Sequence, residues 1–288
     1  AEASRVLQIA CTTAGIRSDD ASLIRLGENA IYRLSGDGIV VRIARTIDYW
    51  DDVKNEVEVA RWLAAEQFPA AQVHDLDQPI VTEGHPVTFW RFIAGREGCR
   101  DDTGTLGTVL RSLHKLPRPT GFDLPDENIL GRVKSRVKAA PVPHEDKSFL
   151  LSRLDELRTE LSHLEFPLEL APTHGDAHTG NLMIQDDKAV LIDFERFAWG
   201  QPEWDLAMTA TSHQTAGWLT SEEYETFATA YGYDVTTWDG FEVLQSVHEL
   251  KMTTWLMQSV NESTEIADEY RLRMRTIRGD RSQPWRAF

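Results

Sequence analysis

Three oxygen-bearing side chains lie close together in the sequence, namely those of Asp176, Asn181 and Asp193. The amide oxygen of an asparagine and the carboxylate of an aspartate are hard oxygen ligands that suit Mg²⁺. A further carboxylate that the metal does not use can orient an attacking hydroxyl and later accept its proton. We therefore predict that Asn181 and Asp193 hold Mg²⁺ and that Asp176 is the catalytic base, which is the layout that phosphoryl transfer requires.

A β-hairpin is predicted to bring these side chains together. Residues 181–184 and 188–192 are short apolar runs, and a polar turn centred on Asp186-Asp187 separates them. If these two aspartates form a two-residue turn, Asn181 lies beside Asp193 at the open end of the hairpin. The candidate base lies in the loop just before the first strand, close enough to approach both.

The spacing of these residues resembles the catalytic loop and the metal-binding aspartate of kinases. The His-Gly-Asp sequence at 174–176 is similar to the aminoglycoside phosphotransferase (choline-kinase-like) family, whereas protein kinases carry His-Arg-Asp there. The runs Ile-Asp-Phe-Glu at 192–195 and Trp-Asp-Leu-Ala at 204–207 are also similar to that family. The resemblance covers roughly Leu26 to Leu206, and it implies a kinase that uses Mg²⁺ and ATP, with GTP left open.

The resemblance also implies a nucleotide site in the first third of the chain. Arg42 stands where kinases place a strand lysine, and its guanidinium can bind phosphate bidentately. Glu56 would be the helix partner that holds it. Alternatively, Arg42 is a charged residue on a solvent-facing strand edge and Glu56 is an exposed helix residue. The resemblance further implies a phosphate-covering loop, whose backbone would face phosphate, and a hinge, whose backbone would hydrogen-bond adenine. Together with the loop and the hinge, the implied nucleotide-binding residues are Arg42, Glu56, Gly27, Glu28, Asn29, Ala30, Trp90 and Phe92.

Three more residues have supporting roles in this interpretation. Glu195 follows the metal-binding aspartate by two positions, and it either supports the metal ligands or faces the substrate. His174 and Asp205 are predicted to be scaffold residues. His174 can hydrogen-bond the backbone around Asp193, and Asp205 can hold the catalytic loop through its amides.

The order of predicted elements indicates an α+β fold with two lobes, as in protein kinases. Residues 1–94 are expected to form a small β-rich N-terminal lobe with one inserted helix, and residues 95–288 a larger, mostly helical C-terminal lobe around the hairpin. Strands are predicted at 22–26, 30–34, 39–44, 73–76 and 87–93. Helices are predicted at 3–15, 51–66, 105–116, 147–165, 203–217, 221–231, 238–260 and 262–276.

Composition narrows the class of partner. The chain has 288 residues and a net charge of −16, so it should repel nucleic acids and anionic membranes. No apolar run is long enough to cross a bilayer, and the first residues lack the pattern of a signal peptide, so a soluble cytoplasmic protein is expected. Cys11 and Cys99 are too few for a disulfide framework, and both are expected to be small buried hydrophobes.

Acidic residues are concentrated near the C-terminus. Residues 201–270 contain thirteen Asp and Glu but a single base, Lys251. The stretch is interpreted either as solvated helix faces or as a wall that attracts a cationic substrate. The carboxylates predicted to contact that substrate are Glu203, Glu262, Glu265, Asp268 and Glu269.

The favoured function is transfer of the γ-phosphate of ATP to a hydroxyl of a cationic aminoglycoside-type antibiotic. A metabolic kinase for an amino alcohol, an amino acid or a sugar is the main alternative. A metal-dependent hydrolase that uses His174, Asp176 and His178 as ligands is a second alternative. A nucleotide-binding protein without activity is a third, and only the arginine at position 42 favours it. The oligomeric state stays open.

Overall fold

The computed structural model describes residues 2–27 and 29–288. The strands, in chain order, are β1 (Ala21–Leu26), β2 (Asn29–Leu34), β3 (Ile39–Ala44), β4 (Ile80–Thr82), β5 (His85–Arg91), β6 (Arg96–Glu97), β7 (Ala171–Thr173), β8 (Leu182–Gln185), β9 (Lys188–Leu191) and β10 (Ala198–Gly200). The helices are α1 (Glu2–Ala14), α2 (Trp50–Ala65), α3 (Thr103–Leu113), α4 (Val133–Ala139), α5 (His144–Leu161), α6 (Pro202–Gln214), α7 (Ser221–Tyr231), α8 (Phe241–Leu256) and α9 (Thr264–Ile277).

The chain divides into two compact units. The first, which we call the sheet unit, comprises the residues up to Gly98, Leu116–Pro125 and Gly180–Phe197. The second, the helical unit, comprises Cys99–Lys115, Asp126–Thr179 and Ala198–Phe288. The hairpin β8–β9 thus groups with the sheet unit, whereas the sequence prediction placed it with the residues after position 94. The mixed α+β class is confirmed, because a small antiparallel sheet and a mainly helical body are both present.

The sheet unit is built on five antiparallel strands in the order β1-β2-β3-β5-β4. Side chains of β2 and β3 alternate between buried and half-buried positions, as expected for a sheet that is packed on one face. Helix α1 covers that face, and its Val6, Leu7, Ala10 and Cys11 join the strand residues in one apolar core. Cys11 is therefore a buried hydrophobe, as predicted.

Two local predictions, at residues 73–76 and at Cys99, are wrong. Residues 73–76 do not form a strand; only Val73 makes a bridge, to Trp90. The side chain of Gln78 replaces the missing ladder, because its Oε1 accepts the Phe89 N–H at 2.7 Å and its Nε2 donates to the carbonyls of His74 and Phe89. Cys99 is exposed rather than buried, since it begins a short turn in which its N–H donates to Asp102 at 2.8 Å.

The helical unit has α8 at its centre, where α8 packs against α4, α5, α6 and α9. Helices α3 and α7 pack closely because Gly107 lies against the backbone of Phe227, where a Cβ would clash. Helix α4 is absent from the sequence prediction, since it has only seven residues and its apolar face consists mainly of Val133 and Val137. In the part of the chain that the structure describes, no helix is both long and apolar enough to cross a membrane.

Candidate active site

The hairpin β8–β9 forms with the predicted register. Its turn residues Asp186 and Asp187 have φ values of 48° and 59°, the left-handed pair that a two-residue type I′ turn needs. At the open end the Ile192 N–H donates to the Asn181 carbonyl at 3.0 Å, so Asn181 and Asp193 are neighbours across the hairpin. Asp193 also has a positive φ of 66°, a conformation that aspartate tolerates better than most residues.

Both edges of the hairpin are tied to the sheet unit. On one edge Leu191 exchanges backbone hydrogen bonds with the segment around Ala70, at 2.8 and 2.9 Å. On the other edge β6 pairs with β8, and the Gly98 N–H donates to the Leu182 carbonyl at 2.8 Å. Gly95 lies so close to the Ile184 carbonyl that a Cβ would clash with it. The backbone that carries Asn181 and Asp193 is therefore held on two sides.

Arg42 on β3 and Glu56 on α2 form a buried ion pair. Arg42 Nη1 lies 2.7 Å from Glu56 Oε1, and Glu56 is only 2% exposed. Burial raises the pKa of the Glu56 carboxyl to about 7, with the nearby Asp193 and Glu195 carboxylates adding to the rise and Arg42 opposing it. Burial by itself lowers the pKa of Arg42, but the three carboxylates outweigh it and hold that pKa above its ordinary value. Neither residue is the exposed surface group of the alternative interpretation.

Three more side chains surround the same guanidinium. The Asn29 side-chain oxygen accepts hydrogen bonds from Arg42 Nε at 3.2 Å and Nη2 at 3.0 Å, in the amide orientation that satisfies both groups. Asp193 Oδ1 and Glu195 Oε2 each lie 3.9 Å from Arg42 Nη2. We call these five residues the Arg42 cluster. It brings the predicted phosphate-binding arginine and the predicted metal-binding aspartate to one place.

The donor set at the hairpin end fits a magnesium ion by its chemistry. Asn181 supplies an amide oxygen and Asp193 a carboxylate that is 43% exposed, and both are the oxygen ligands that Mg²⁺ prefers. The third predicted residue, Asp176, belongs to the helical unit, because the boundary between the units falls after Thr179. Glu195 lies against Arg42, which is compatible with either of its predicted supporting roles.

The other predicted nucleotide-binding residues have varied surroundings. Glu28 lies outside the described residues. The Gly27 N–H donates to the Asn29 carbonyl at 3.1 Å, and Ala30 is buried between its strand neighbours. In the predicted hinge, Trp90 is buried in β5 and the Phe92 N–H already donates to the Gly38 carbonyl at 2.8 Å. That N–H is therefore not available to adenine, and a hinge contact would have to come from another backbone group.

In the helical unit, Asp205 holds the loop that carries Asp176. We call residues 174–178 the His-Gly-Asp loop. The buried Asp205 carboxylate accepts the N–H of His174 at 2.7 Å and the N–H of Gly175 at 2.8 Å. His174 is itself buried, and its Nδ1 accepts the Asp176 N–H at 3.3 Å. These bonds hold the loop backbone on both sides of its glycine.

A histidine that the sequence analysis did not single out completes this network. His114, just after α3, places Nε2 3.0 Å from the Asp205 carboxylate and Nδ1 2.9 Å from the Tyr231 hydroxyl. Burial raises the pKa of Asp205, but the hydrogen bond and charge of His114, with His174, outweigh it and hold the pKa below its usual value. A lone histidine at a helix end carries no signal in one sequence, because its partners are far away along the chain.

The hydrolase alternative requires His174, Asp176 and His178 to act together as metal ligands. His174 is buried in the network above, whereas His178 is exposed. Over residues 2–27 and 29–288, no group of three or more His, Cys, Asp or Glu side chains is arranged to hold a metal ion.

Several of the predicted substrate carboxylates are already engaged inside the helical unit. Glu203 is fully buried and accepts the Leu168 N–H at 2.7 Å, and burial raises the pKa of its carboxyl. Glu269 is buried in an ion pair with Arg273 at 2.8 Å. Asp268 is exposed but pairs with Arg271.

Glu203 and Glu269 are therefore interior residues, and their prediction as substrate contacts is wrong. Glu262 and Glu265 are exposed. The acidic stretch is also less negative than it looked, because arginines just beyond residue 270 neutralise part of it. Arg281, for example, pairs with the buried Glu249 at 2.9 Å.

Comparison with known proteins supports the family predicted from the motif. Residues 22–244 match the family model described as the phosphotransferase enzyme family. Among curated protein sequences, no match is found.

Solved structures share the fold at low sequence identity. Amicoumacin kinase hAmiN in complex with AMP-PNP, Ca²⁺ and Ami superposes with a TM-score of 0.77 and 15% identity, over 96% of this chain and 93% of that one. The microcompartment-associated aminopropanol kinase has a TM-score of 0.70 and 19% identity, with 94% of each chain covered. The GDP and kanamycin complex of APH(2")-IIia has a TM-score of 0.70 and 13% identity, over 97% and 99%. The chain shares its fold with these structures, and the family model matches most of its length, so the protein belongs to the phosphotransferase enzyme family.

Proposed function

We propose that this protein transfers the γ-phosphate of ATP to a hydroxyl group of a small molecule. The observation that carries the proposal is the Arg42 cluster, in which Glu56 and Asn29 fix a guanidinium close to the carboxylate of Asp193. A guanidinium held in one plane can bind phosphate oxygens bidentately. A neighbouring carboxylate at a rigid hairpin end suits the divalent cation that accompanies a nucleoside triphosphate.

The residues divide the chemistry between them. Asn181 and Asp193 would hold Mg²⁺, which neutralises phosphate charge when it is bound. Arg42 binds phosphate oxygens, and its two hydrogen-bonding partners keep it in place. Asp176 orients the acceptor hydroxyl and takes its proton as the oxygen attacks phosphorus. Its position depends on a loop whose backbone Asp205 holds by two N–H groups.

The acceptor that we propose is a small hydroxylated molecule with at least one amine. Proteins of the same fold include an amicoumacin kinase, an aminopropanol kinase and a protein crystallised with kanamycin. A cationic aminoglycoside-type antibiotic and a metabolic amino alcohol are the two leading candidates. Because Glu203, Glu249 and Glu269 are buried, fewer exposed carboxylates are available to a substrate than the sequence indicated, which weakens the case for a polycation relative to the smaller amine.

Ionic strength separates these two acceptors. A polycation held by several exposed carboxylates should show a Michaelis constant that rises steeply with salt, since the Debye length is only about 8 Å at physiological ionic strength. A singly charged amino alcohol should show a much smaller rise. ADP release should therefore be measured for both classes of acceptor at low and high salt. A best acceptor without any amine would contradict the proposed class and leave the phosphotransfer chemistry standing.

The metal assignment is tested by Asp193→Asn, which keeps the size of the side chain and removes its charge. We expect the variant to lose the magnesium-dependent part of the thermal shift that ATP produces, because the main anionic ligand is gone. Asp187→Asn in the turn of the same hairpin is the matched control, since that residue is exposed and asparagine suits its positive φ. An unchanged shift in Asp193→Asn would mean that this aspartate does not hold the metal.

A further inference from the structure

A second carboxyl group contacts the base of the His-Gly-Asp loop. Glu127 lies in the irregular segment before α4, and its side chain reaches the short ladder of β7 and β10. Its Oε1 lies 2.8 Å from the hydroxyl of Thr173, the last residue of β7 and the one directly before the loop. Its Oε2 accepts the Gln201 N–H at 3.3 Å, where β10 leads into α6. Glu127 therefore joins the two chain segments that carry His174 and Asp205.

The backbone around Glu127 is arranged to receive this side chain. The Glu127 N–H donates to the Trp199 carbonyl at 2.9 Å, and the preceding residue, Asp126, bridges to Trp199 in parallel. At position 200 a Cβ would clash with both the Cβ and the carboxyl group of Glu127. Only glycine therefore fits at Gly200 while Glu127 keeps its place.

The proton arrangement favours a neutral Glu127. The Thr173 hydroxyl has a single proton, and it lies near two acceptors, Glu127 Oε1 and the Ala198 carbonyl at 3.3 Å. If Glu127 carries a proton, it donates to Thr173 and the Thr173 hydroxyl donates to Ala198, so every group is satisfied. Burial and the charge of Asp205 raise the pKa of Glu127 to about 8, while Thr173, the Gln201 N–H and Lys251 on α8 act in the opposite direction.

We propose that Glu127 is a positioning residue of the phosphotransfer reaction, because it fixes Thr173 at the base of the loop and thereby sets the place of Asp176. This inference rests on the proposed function, in which Asp176 aims the acceptor hydroxyl. Asp205 holds the loop through the N–H groups of His174 and Gly175, and Glu127 holds the strand that enters it. Two carboxyl groups with opposite protonation states thus restrain the loop from two sides.

The test compares Glu127→Gln, Glu127→Ala and Thr173→Val with wild type. Glutamine keeps a donor for Thr173 and an acceptor for the Gln201 N–H, so its kcat should stay within about threefold of wild type. Alanine and Thr173→Val should lower kcat by about tenfold to a hundredfold, because small displacements of a reacting group are costly. The KM for ATP should change by less than about twofold in each variant, since Glu127 lies outside the Arg42 cluster. Glu165→Gln, an exposed carboxylate of the helical unit, is the matched control and should resemble wild type.

Amide hydrogen exchange gives a readout that does not need activity. Glu127→Ala should speed exchange in a peptide that covers residues 171–177, and Glu127→Gln should not. Should wild type transfer phosphate to no acceptor, the proposed function fails, while the exchange data still report whether Glu127 holds the loop. A kcat of Glu127→Ala equal to wild type, measured well below its melting temperature, would overturn the positioning role. Equal damage from glutamine and alanine would also overturn it, since glutamine preserves the neutral hydrogen bonds.

Discussion

Removal of the Asp205 carboxylate should both destabilise the protein and slow its reaction. The side chain is 1% exposed and accepts three hydrogen bonds, from the N–H groups of His174 and Gly175 and from His114 Nε2. Asp205→Ala leaves these three donors without their acceptor in the interior. Each hydrogen bond to a charged acceptor contributes about 1.5–3 kcal/mol, although the cost of burying the carboxylate itself is relieved. The net loss should be about 3–5 kcal/mol, as for other buried charges that lose a partner.

This loss of stability can be measured as a decrease in melting temperature, Tm. In a protein of this size each kcal/mol shifts Tm by about 2–4 °C, so Asp205→Ala should melt about 10 °C below wild type. Asp205→Asn keeps one acceptor oxygen but turns an NH₂ group toward an N–H donor. Its melting temperature should therefore lie between those of wild type and Asp205→Ala. Both variants should also lose kcat at temperatures where they remain folded, because the His-Gly-Asp loop is no longer held.

Differential scanning calorimetry and the kcat measured at a low temperature are the suitable assays. Asp239→Asn, an exposed aspartate of the same unit, is the control and should melt like wild type. If Asp205→Ala melted within about 2 °C of wild type, the hydrogen bonds would not have the strength assigned to them.

Two further predictions address the Arg42 pair and Glu127. Arg42→Ala should raise the KM for the nucleotide and lower kcat, and Glu56→Ala should do the same less severely. The effects in the double variant should be less than additive, because the two side chains act as a unit. Strict additivity in the kinetic cycle would argue against the pair. Glu127 binds its proton more tightly in the folded protein than in the unfolded chain, so its contribution to stability is complete below the unfolded pKa of about 4.5 and is lost as pH rises to about 8. Urea titrations across that range should show this loss in wild type and not in Glu127→Gln, and identical pH profiles would refute the assignment.

Local chemistry explains which parts of the fold could be predicted. The hairpin was predictable because two turn-forming aspartates separate two short apolar runs, which sets the register that brings Asn181 to Asp193. The pairing of Arg42 with Glu56 came only from the family resemblance, and the structure shows it at 2.7 Å. The strand expected at 73–76 failed because a side-chain amide from Gln78 supplied the hydrogen bonds instead.

Long-range pairing explains what could not be predicted. Helical periodicity identifies the apolar face but not which charged residues find a distant partner, so buried Glu203 and Glu269 looked like surface acids. His114 and Glu127 could not be identified for the same reason, because their partners Asp205 and Thr173 are distant in sequence and contact them only in the folded chain. Neither residue belongs to a local motif.

The most direct test of the central claim is phosphate transfer by Asp176→Asn. With an acceptor identified in a panel of aminoglycosides, amino alcohols, amino acids and sugars, single-turnover transfer of labelled γ-phosphate should be measured for wild type and variant. The variant should bind Mg·ATP as wild type does, because Asp193 and the Arg42 cluster are intact. Its transfer rate should fall by about 10²–10⁴-fold, since the group that accepts the hydroxyl proton is lost. Transfer at the wild-type rate would contradict the assignment of Asp176 as the base.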